Sequence, residues 1–401
     1  MPTGGMGGTA RVSILTIGDI GVSSGIIHIG DEAMFEAARD ELADRGIPIT
    51  GISSQPDESA RRYGIPVVGR LGFAGLARAD AQERAALLLD VAAGIRELPP
   101  GDPAEGALAA LRSARGVLIA GGGNLASRWP VHVFERTTVA AMARAQGLPV
   151  VLSGQTLGPD LDPEDRTRVA ELARRAVRTG VREHASGDLA RSWGARVHVG
   201  VDDASFLGGG PDGAEVSDRV LVSLSGWFAV RPADAVEAGI ARLLDHVADT
   251  AGEVLFHAHF GPVAADAVPS GDAALHERVR ARMRRPSTVV ASGDPLGAAR
   301  LARSARLLVT SRYHPAVFAA PAGVPILGLA ADDYTRIKLA GALGHWGQDA
   351  VLDLDDLPTA PSALDRLDDR RSEVADRAAA ALPGHRARAG AWWDDVADVF
   401  R

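Results

Sequence analysis

The sequence predicts an α/β protein of two Rossmann-like domains whose parallel sheets face each other across a cleft. Three observations carry that prediction. Short β-branched runs alternate with longer amphipathic stretches along the chain, the rhythm of a parallel sheet covered on both faces. The rhythm breaks once, over Leu-Gly-Gly-Gly-Pro-Asp-Gly-Ala-Glu-Val-Ser at 207–217, where glycine and proline mark a linker. The length, 401 residues, suits two domains of about 100–200 residues each.

Each element follows from its local pattern. Residues 11–17 form a strand, and 31–45 a helix with apolar spacing on one face. A strand at 49–53 and a helix at 79–95 follow. Residues 116–120 are a buried strand ending in Gly121-Gly122-Gly123-Asn124. A helix at 137–146 leads to a strand at 149–153. A helix at 163–178, a strand at 180–182, a helix at 186–193 and a strand at 197–201 close the first half. After the linker, strands at 219–224, 253–257, 288–290, 306–310 and 325–329 alternate with helices at 232–250, 272–283, 295–302 and 314–322. The stretch from Leu364 is helical and carries Trp392 and Trp393 near its end. The domains are therefore 11–208 and 218–401, after a flexible Gly-rich tail at 1–10. The last helix is free to pack back on the first domain.

Composition removes several function classes. Basic residues number 43 and acidic residues 51, a net charge of −8, so nonspecific nucleic-acid binding, which needs a basic face, is not expected. No cysteine is present, which excludes disulfides, thiolate metal sites and a cysteine nucleophile. The start lacks a signal-peptide pattern and no apolar run approaches 18 residues, so a cytoplasmic protein with no integral membrane segment is expected. A homo-oligomer is left open. Lys338 is the single lysine and Asn124 the single asparagine. In an Arg-rich chain, one retained lysine reads either as chance survival or as a demand for a compact ammonium.

Polar residues gather just after strands, where α/β sites lie. Asp19 follows the first strand. Gly30-Asp31-Glu32 opens a helix, where Asp31 reads as an N-cap or as a base for a hydroxyl proton. Gly122, Gly123 and Asn124 read as a tight turn or as N–H groups and an amide facing a ligand. Gln155 follows the strand at 149–153. Arg182 reads as an anion clamp or as a salt bridge to Glu183 or Asp188, and Asp202-Asp203 as a carboxylate pair or a cap. In Thr310-Ser311-Arg312-Tyr313-His314-Pro315 a polar cluster lies between apolar elements and is not needed for folding; Arg312 suits an anion and His314 a proton transfer. Tyr334 and Lys338 are four apart and share a helical face. His257 and His259 lack a third ligand at recognisable spacing, so no metal is expected.

Taken together, Gly30-Asp-Glu-Ala33, Gly121-Gly-Gly-Asn-Leu125, Ser153-Gly-Gln-Thr-Leu-Gly-Pro159, Val181-Arg-Glu-His-Ala-Ser186, Asp202-Asp-Ala-Ser-Phe206 and Ser311-Arg-Tyr-His314 with Gly323-Val-Pro325 resemble the polysaccharide pyruvyl transferase family. The resemblance implies a glycosyltransferase-B-like fold. It implies transfer of a pyruvyl group from phosphoenolpyruvate, as co-substrate, to two hydroxyls of a sugar, with no cofactor. It maps the family's donor-binding arginines onto Arg312 and Arg182 and its catalytic histidine onto His314; beside these, Ser311, Tyr334 and Lys338 are assigned to the donor, and Arg312 and Asp31 join His314 as catalytic. Asp19, Glu32, Gly122, Gly123, Asn124, Gln155 and His259 are assigned to the acceptor, with further contacts from loops at 23–28 and 126–132. One departure stands out: the lysine of the family's Tyr-Asp-x-Lys element is missing from Ala331-Asp332-Asp333-Tyr334, and Lys338 comes one helical turn later. A nucleotide-sugar glycosyltransferase and a catalytically silent binding protein remain as alternatives on the same frame.

Overall fold

The computed structural model describes residues 13–211 and 217–401. The expected tail at 1–10 and part of the expected linker lie outside them. The first sheet is parallel throughout. Its order is Val67–Gly69, Ile49–Ser53, Ser13–Ile17, Ala114–Ile119, Val150–Leu157, Arg178–Val181, Val197–Val199, and Gly122–Leu125 pairs with the carboxyl half of Val150–Leu157. The second sheet is also parallel, in the order Ser287–Val290, Val254–His257, Val220–Ser223, Leu307–Thr310, Ile326–Ala330, Val351–Asp353. The molecule is thus α/β with two Rossmann-like halves, as the alternating pattern requires.

Two readings at the centre of the first sheet are corrected. The glycine triplet is not a simple turn: Gly122–Leu125 is itself a short strand. The strand expected at 149–153 runs on to Leu157, and every residue of it is buried. Gln155 therefore sits inside the sheet, its amide donating to the carbonyls of Ala120 at 2.6 Å and Ser153 at 2.8 Å. Its Nε2 is held by these carbonyls, while its Oε1 is buried without a hydrogen-bond partner among the described residues. The helix expected at 137–146 begins at Pro130, where proline fits the first turn because its missing N–H has no helical partner to lose. That extension brings His132, Glu135 and Arg136 onto the helix.

Two features tie the halves together. Ile26–His28 pairs antiparallel with Phe260–Pro262 from the other half, and the Ile29 N–H donates to the His259 carbonyl at 2.9 Å. The helix Arg371–Phe400 lays Trp392, Trp393, Val396 and Phe400 into one cluster with Ile14, Leu118 and Val151 of the first sheet. Trp392 donates its indole N–H to Ser153 at 2.9 Å. Each buried aromatic contributes roughly 1.5–3 kcal/mol. The sheet makes room with Gly116 and Gly180, where a Cβ would stand 2.6 Å from Phe400 and Trp392 respectively. No helix among the described residues is long and apolar enough to cross a membrane.

Candidate active site

The segment after Leu307–Thr310 folds as its sequence demands. The Thr310 hydroxyl accepts the Arg312 N–H at 2.9 Å and donates to the Ser223 carbonyl at 2.8 Å. Arg312 is extended, and the helix Tyr313–Ala319 starts directly after it. His314 is thereby buried at 8% exposure, against the first turn of the helix Ile29–Asp44. A Cβ on Gly30 would stand 1.9 Å from His314 Nδ1, so only glycine permits this approach. His314 Nε2 lies 3.9 Å from Asp202 and has no hydrogen-bond partner among the described residues. Burial pushes the imidazole down to about 3, against the opposing pull of Asp202.

Asp31 stands beside it. Its carboxylate lies 2.6 Å from His28 Nδ1. Burial alone would raise it, but His28, His314 and Lys338 hold it well below the usual carboxylate range. It is ionised at neutral pH.

Arg182 is 1% exposed and held through two of its three nitrogens. Nε donates to Thr156 Oγ1 at 2.9 Å and Nη1 to Asp202 at 2.8 Å, and the guanidinium lies 4.2 Å from the Tyr313 ring centroid. Such partners offset the cost of burying the charge. Lys338 Nζ donates to Tyr334 Oη at 3.2 Å and sits over the Tyr313 and Tyr334 rings. Tyr334 Oη donates in turn to the Gly123 carbonyl. A Cβ on Gly123 would stand 2.8 Å from Tyr334 Oη, 2.9 Å from Arg182 Nη2 and 2.9 Å from Lys338 Nζ. Two cations and a phenol from three elements thus converge on one bare backbone position. Across the cleft, Arg128 contacts Asp332 at 3.1 Å between the Trp227 and Tyr334 rings.

The other expected site residues divide. Arg312 is held by Asp272, with Nε at 2.8 Å, on the flank of His314 that carries His28 and His259. The Ser311 hydroxyl accepts the Ser225 N–H at 2.8 Å. Glu32 is buried and accepts the Gly21 N–H at 2.8 Å and the Tyr63 hydroxyl, so it braces the loop after the first strand. His259 belongs to the second half and is buried, its two ring nitrogens without partners among the described residues. Asn124 is buried beside Gly122. Asp19 contacts Arg70 and, at 3.2 Å, His132. Among the described residues no three His, Cys, Asp or Glu side chains are grouped to hold a metal ion.

Sequence reasoning missed Arg70, Arg136 and the Arg312–Asp272 pair. Only His132 was within reach, at the end of the 126–132 loop.

A family model described as polysaccharide pyruvyl transferase matches residues 28–333. No curated protein matches the sequence. Among solved structures, the chain resembles Os79 from O. sativa in complex with UDP (TM-score 0.59, 13% identity, 96% of this chain and 100% of that one). It resembles the UDP-GlcNAc 2-epimerase from Neisseria meningitidis bound to UDP-GlcNAc (TM-score 0.56, 11% identity, 91% and 94%). It also resembles CalG4, the calicheamicin glycosyltransferase (TM-score 0.53, 17% identity, 97% and 98%). At these identities the likeness is one of fold, the glycosyltransferase-B arrangement of two Rossmann-like domains.

Proposed function

The chain belongs to the polysaccharide pyruvyl transferase family, and on that premise we propose that it moves the pyruvyl group of phosphoenolpyruvate onto two hydroxyls of a sugar-containing acceptor, closing a cyclic ketal and releasing phosphate. The observation that carries this reading is the convergence of Arg182, Lys338 and Tyr334 on Gly123 beside His314. A compact, multiply charged anion suits that convergence: Arg182 and Lys338 offer charge, and the Gly123 backbone leaves space for close approach. Arg312 offers its remaining nitrogen, Nη1, from the other flank of His314.

The chemistry balances without an oxidant or reductant. The methylene carbon of the donor gains a proton and C2 becomes electrophilic. The first hydroxyl adds to C2 and gives its proton to a base. The second hydroxyl then displaces phosphate from C2, and its proton leaves with the phosphate or to solvent. His314 is the acid in this scheme and Asp31 the base. Among protein groups alone His314 is neutral at pH 7. The phosphate and carboxylate of the donor supply the counter-charge that an imidazolium needs, so donor binding charges its own acid. Proton transfer of this kind contributes about 10²–10⁴-fold.

Incubation with phosphoenolpyruvate and a panel of sugars, followed by phosphate assay and mass spectrometry, tests the reading. The expected product is heavier by one ketal-linked pyruvate. No phosphate above background with any hydroxylated acceptor sinks it. Saturable binding of uridine diphosphate, with no effect of phosphoenolpyruvate, would replace it by a nucleotide-sugar transferase.

A further inference from the structure

Arg136 is wholly buried, and among the described residues none of its three guanidinium nitrogens has a hydrogen-bond partner. A buried charge without a partner is costly, and folded proteins tolerate few. The carboxylates close enough to act on it are Asp19, Glu135 and Asp31. Each faces another group as well, and their one buried carboxylate oxygen without a hydrogen bond among the described residues, Glu135 Oε2, lies 3.3 Å from Arg70. Asp19 is held by Arg70 and, at 3.2 Å, by His132. Glu135 accepts the Leu71 N–H at 3.2 Å and lies 3.3 Å from Arg70. Asp31 lies 2.6 Å from His28. Arg70 Nε and His132 Nδ1 add two more buried nitrogens without partners.

The cluster is placed for a ligand. Its members come from the loop after the first strand, the chain after Val67–Gly69 and the helix Pro130–Ala145, all at the carboxyl end of the first sheet. It opens to solvent at Asp19 and Arg70, whose side chains are 30% and 20% exposed. Asp31 couples it to the donor side, since Asp31 acts on Arg136 and is itself acted on by His314 and Lys338.

We infer that Arg136, with Arg70, forms a second subsite that takes an oxyanion carried by the acceptor, a uronate carboxylate or a phosphoryl group. For the ligand's being an acceptor, this rests on the transferase reading above. A neutral hydroxyl offers only a dipole, whereas a full buried guanidinium calls for a counter-charge. The guanidinium fork matches the two oxygens of a carboxylate or phosphate.

The test uses equilibrium binding, not turnover. The full-length chain is titrated calorimetrically with methyl glucuronide, glucose 1-phosphate and methyl glucoside, each in the absence of phosphoenolpyruvate so that no turnover occurs. Arg136→Met and Arg136→Lys are titrated alongside. At least one charged sugar should bind the wild type, and at least about tenfold more weakly to Arg136→Met, the scale of a lost charge-assisted hydrogen bond. Arg136→Lys should fall between. Which charged sugar wins separates carboxylate from phosphate. Equal binding of methyl glucoside, or charged-sugar binding indifferent to both substitutions, overturns the inference. Arg136→Met should also unfold at the same temperature as wild type or higher. A lower melting temperature in both variants would make the guanidinium structural and overturn it too. Phosphoenolpyruvate titrated alone judges the donor reading separately, so the two can fail independently.

Discussion

Two arginines of the first half are equally buried and oppositely treated. Arg182 on the donor side meets Thr156, Asp202 and the Tyr313 ring. Arg136, on the acceptor side, meets no hydrogen-bond partner among the described residues. Burial raises the cost of both charges. The protein offsets that cost for Arg182 within the fold, and for Arg136 it does not. On the reading proposed above, the donor side is preorganised for one small anion, while the acceptor side stores an unmet demand for a ligand to satisfy. Preorganisation on one side and incompleteness on the other suit a protein with a fixed donor and an acceptor that must be selected.

The sharpest way to break this comparison is to remove the group that joins its sides. His314→Ala should lower turnover by about 10²–10⁴-fold while phosphoenolpyruvate still binds in calorimetry. A wild-type rate would remove His314 from the chemistry.

Asp202→Asn tests the claim of internal compensation. It takes the counter-ion from Arg182 and leaves a buried charge exposed to the cost that Arg136 already bears. Breaking such a pair costs about 3–5 kcal/mol, so urea unfolding should show a large loss of stability. If Asp202→Asn and Arg136→Met changed stability alike, the contrast between the two arginines would have no energetic content.

Gly123→Ala is smaller and local. Its Cβ would meet Tyr334, Arg182 and Lys338 below 3 Å. The side-chain tips can yield, so folding should survive and the KM for phosphoenolpyruvate should rise by about 10–100-fold, the cost of a slightly misplaced site. Gly344→Ala, with nothing within 4 Å of its Cβ, is the control.

The same contrast explains what the sequence disclosed. The donor side was legible because its residues sit in compact motifs directly after strands, and because Lys338 is a lone lysine. Its geometry was only half legible: Ser311 and Arg312 look free in sequence, yet Ser225 and Asp272 claim them through contacts across the second half. The acceptor side was nearly illegible. Arg70 and Arg136 are two of 42 arginines, and nothing local marks which one is buried. Arg136 goes inside because its helix starts at Pro130 and buries Val133, Val139 and Ala140 on the same side, a tertiary outcome. The clasp of Ile26–His28 with Phe260–Pro262 is three residues long and joins distant segments, too short for any period to announce.

The smallest effect is on pH, and it separates His314 from His132. Burial holds both low, at about 3 and about 4, so both are neutral at pH 7. Their folded pKa values lie below the unfolded value near 6.5. Between those limits the unfolded chain binds more protons, so stability rises with pH there and is lost as pH falls from about 6.5 toward 4. Donor binding should treat the two differently. If phosphoenolpyruvate charges His314, binding takes up a proton, and affinity falls as pH rises, by at most about tenfold per unit around neutrality. Calorimetry in two buffers of different ionisation enthalpy measures that uptake. His314→Gln should abolish the part owed to the imidazole, and His132→Gln should leave it intact, because His132 answers to Asp19, Arg70 and Arg136 on the other side. Proton uptake that survives His314→Gln unchanged would place the titrating group elsewhere and would dissolve the assignment of the acid to the donor side.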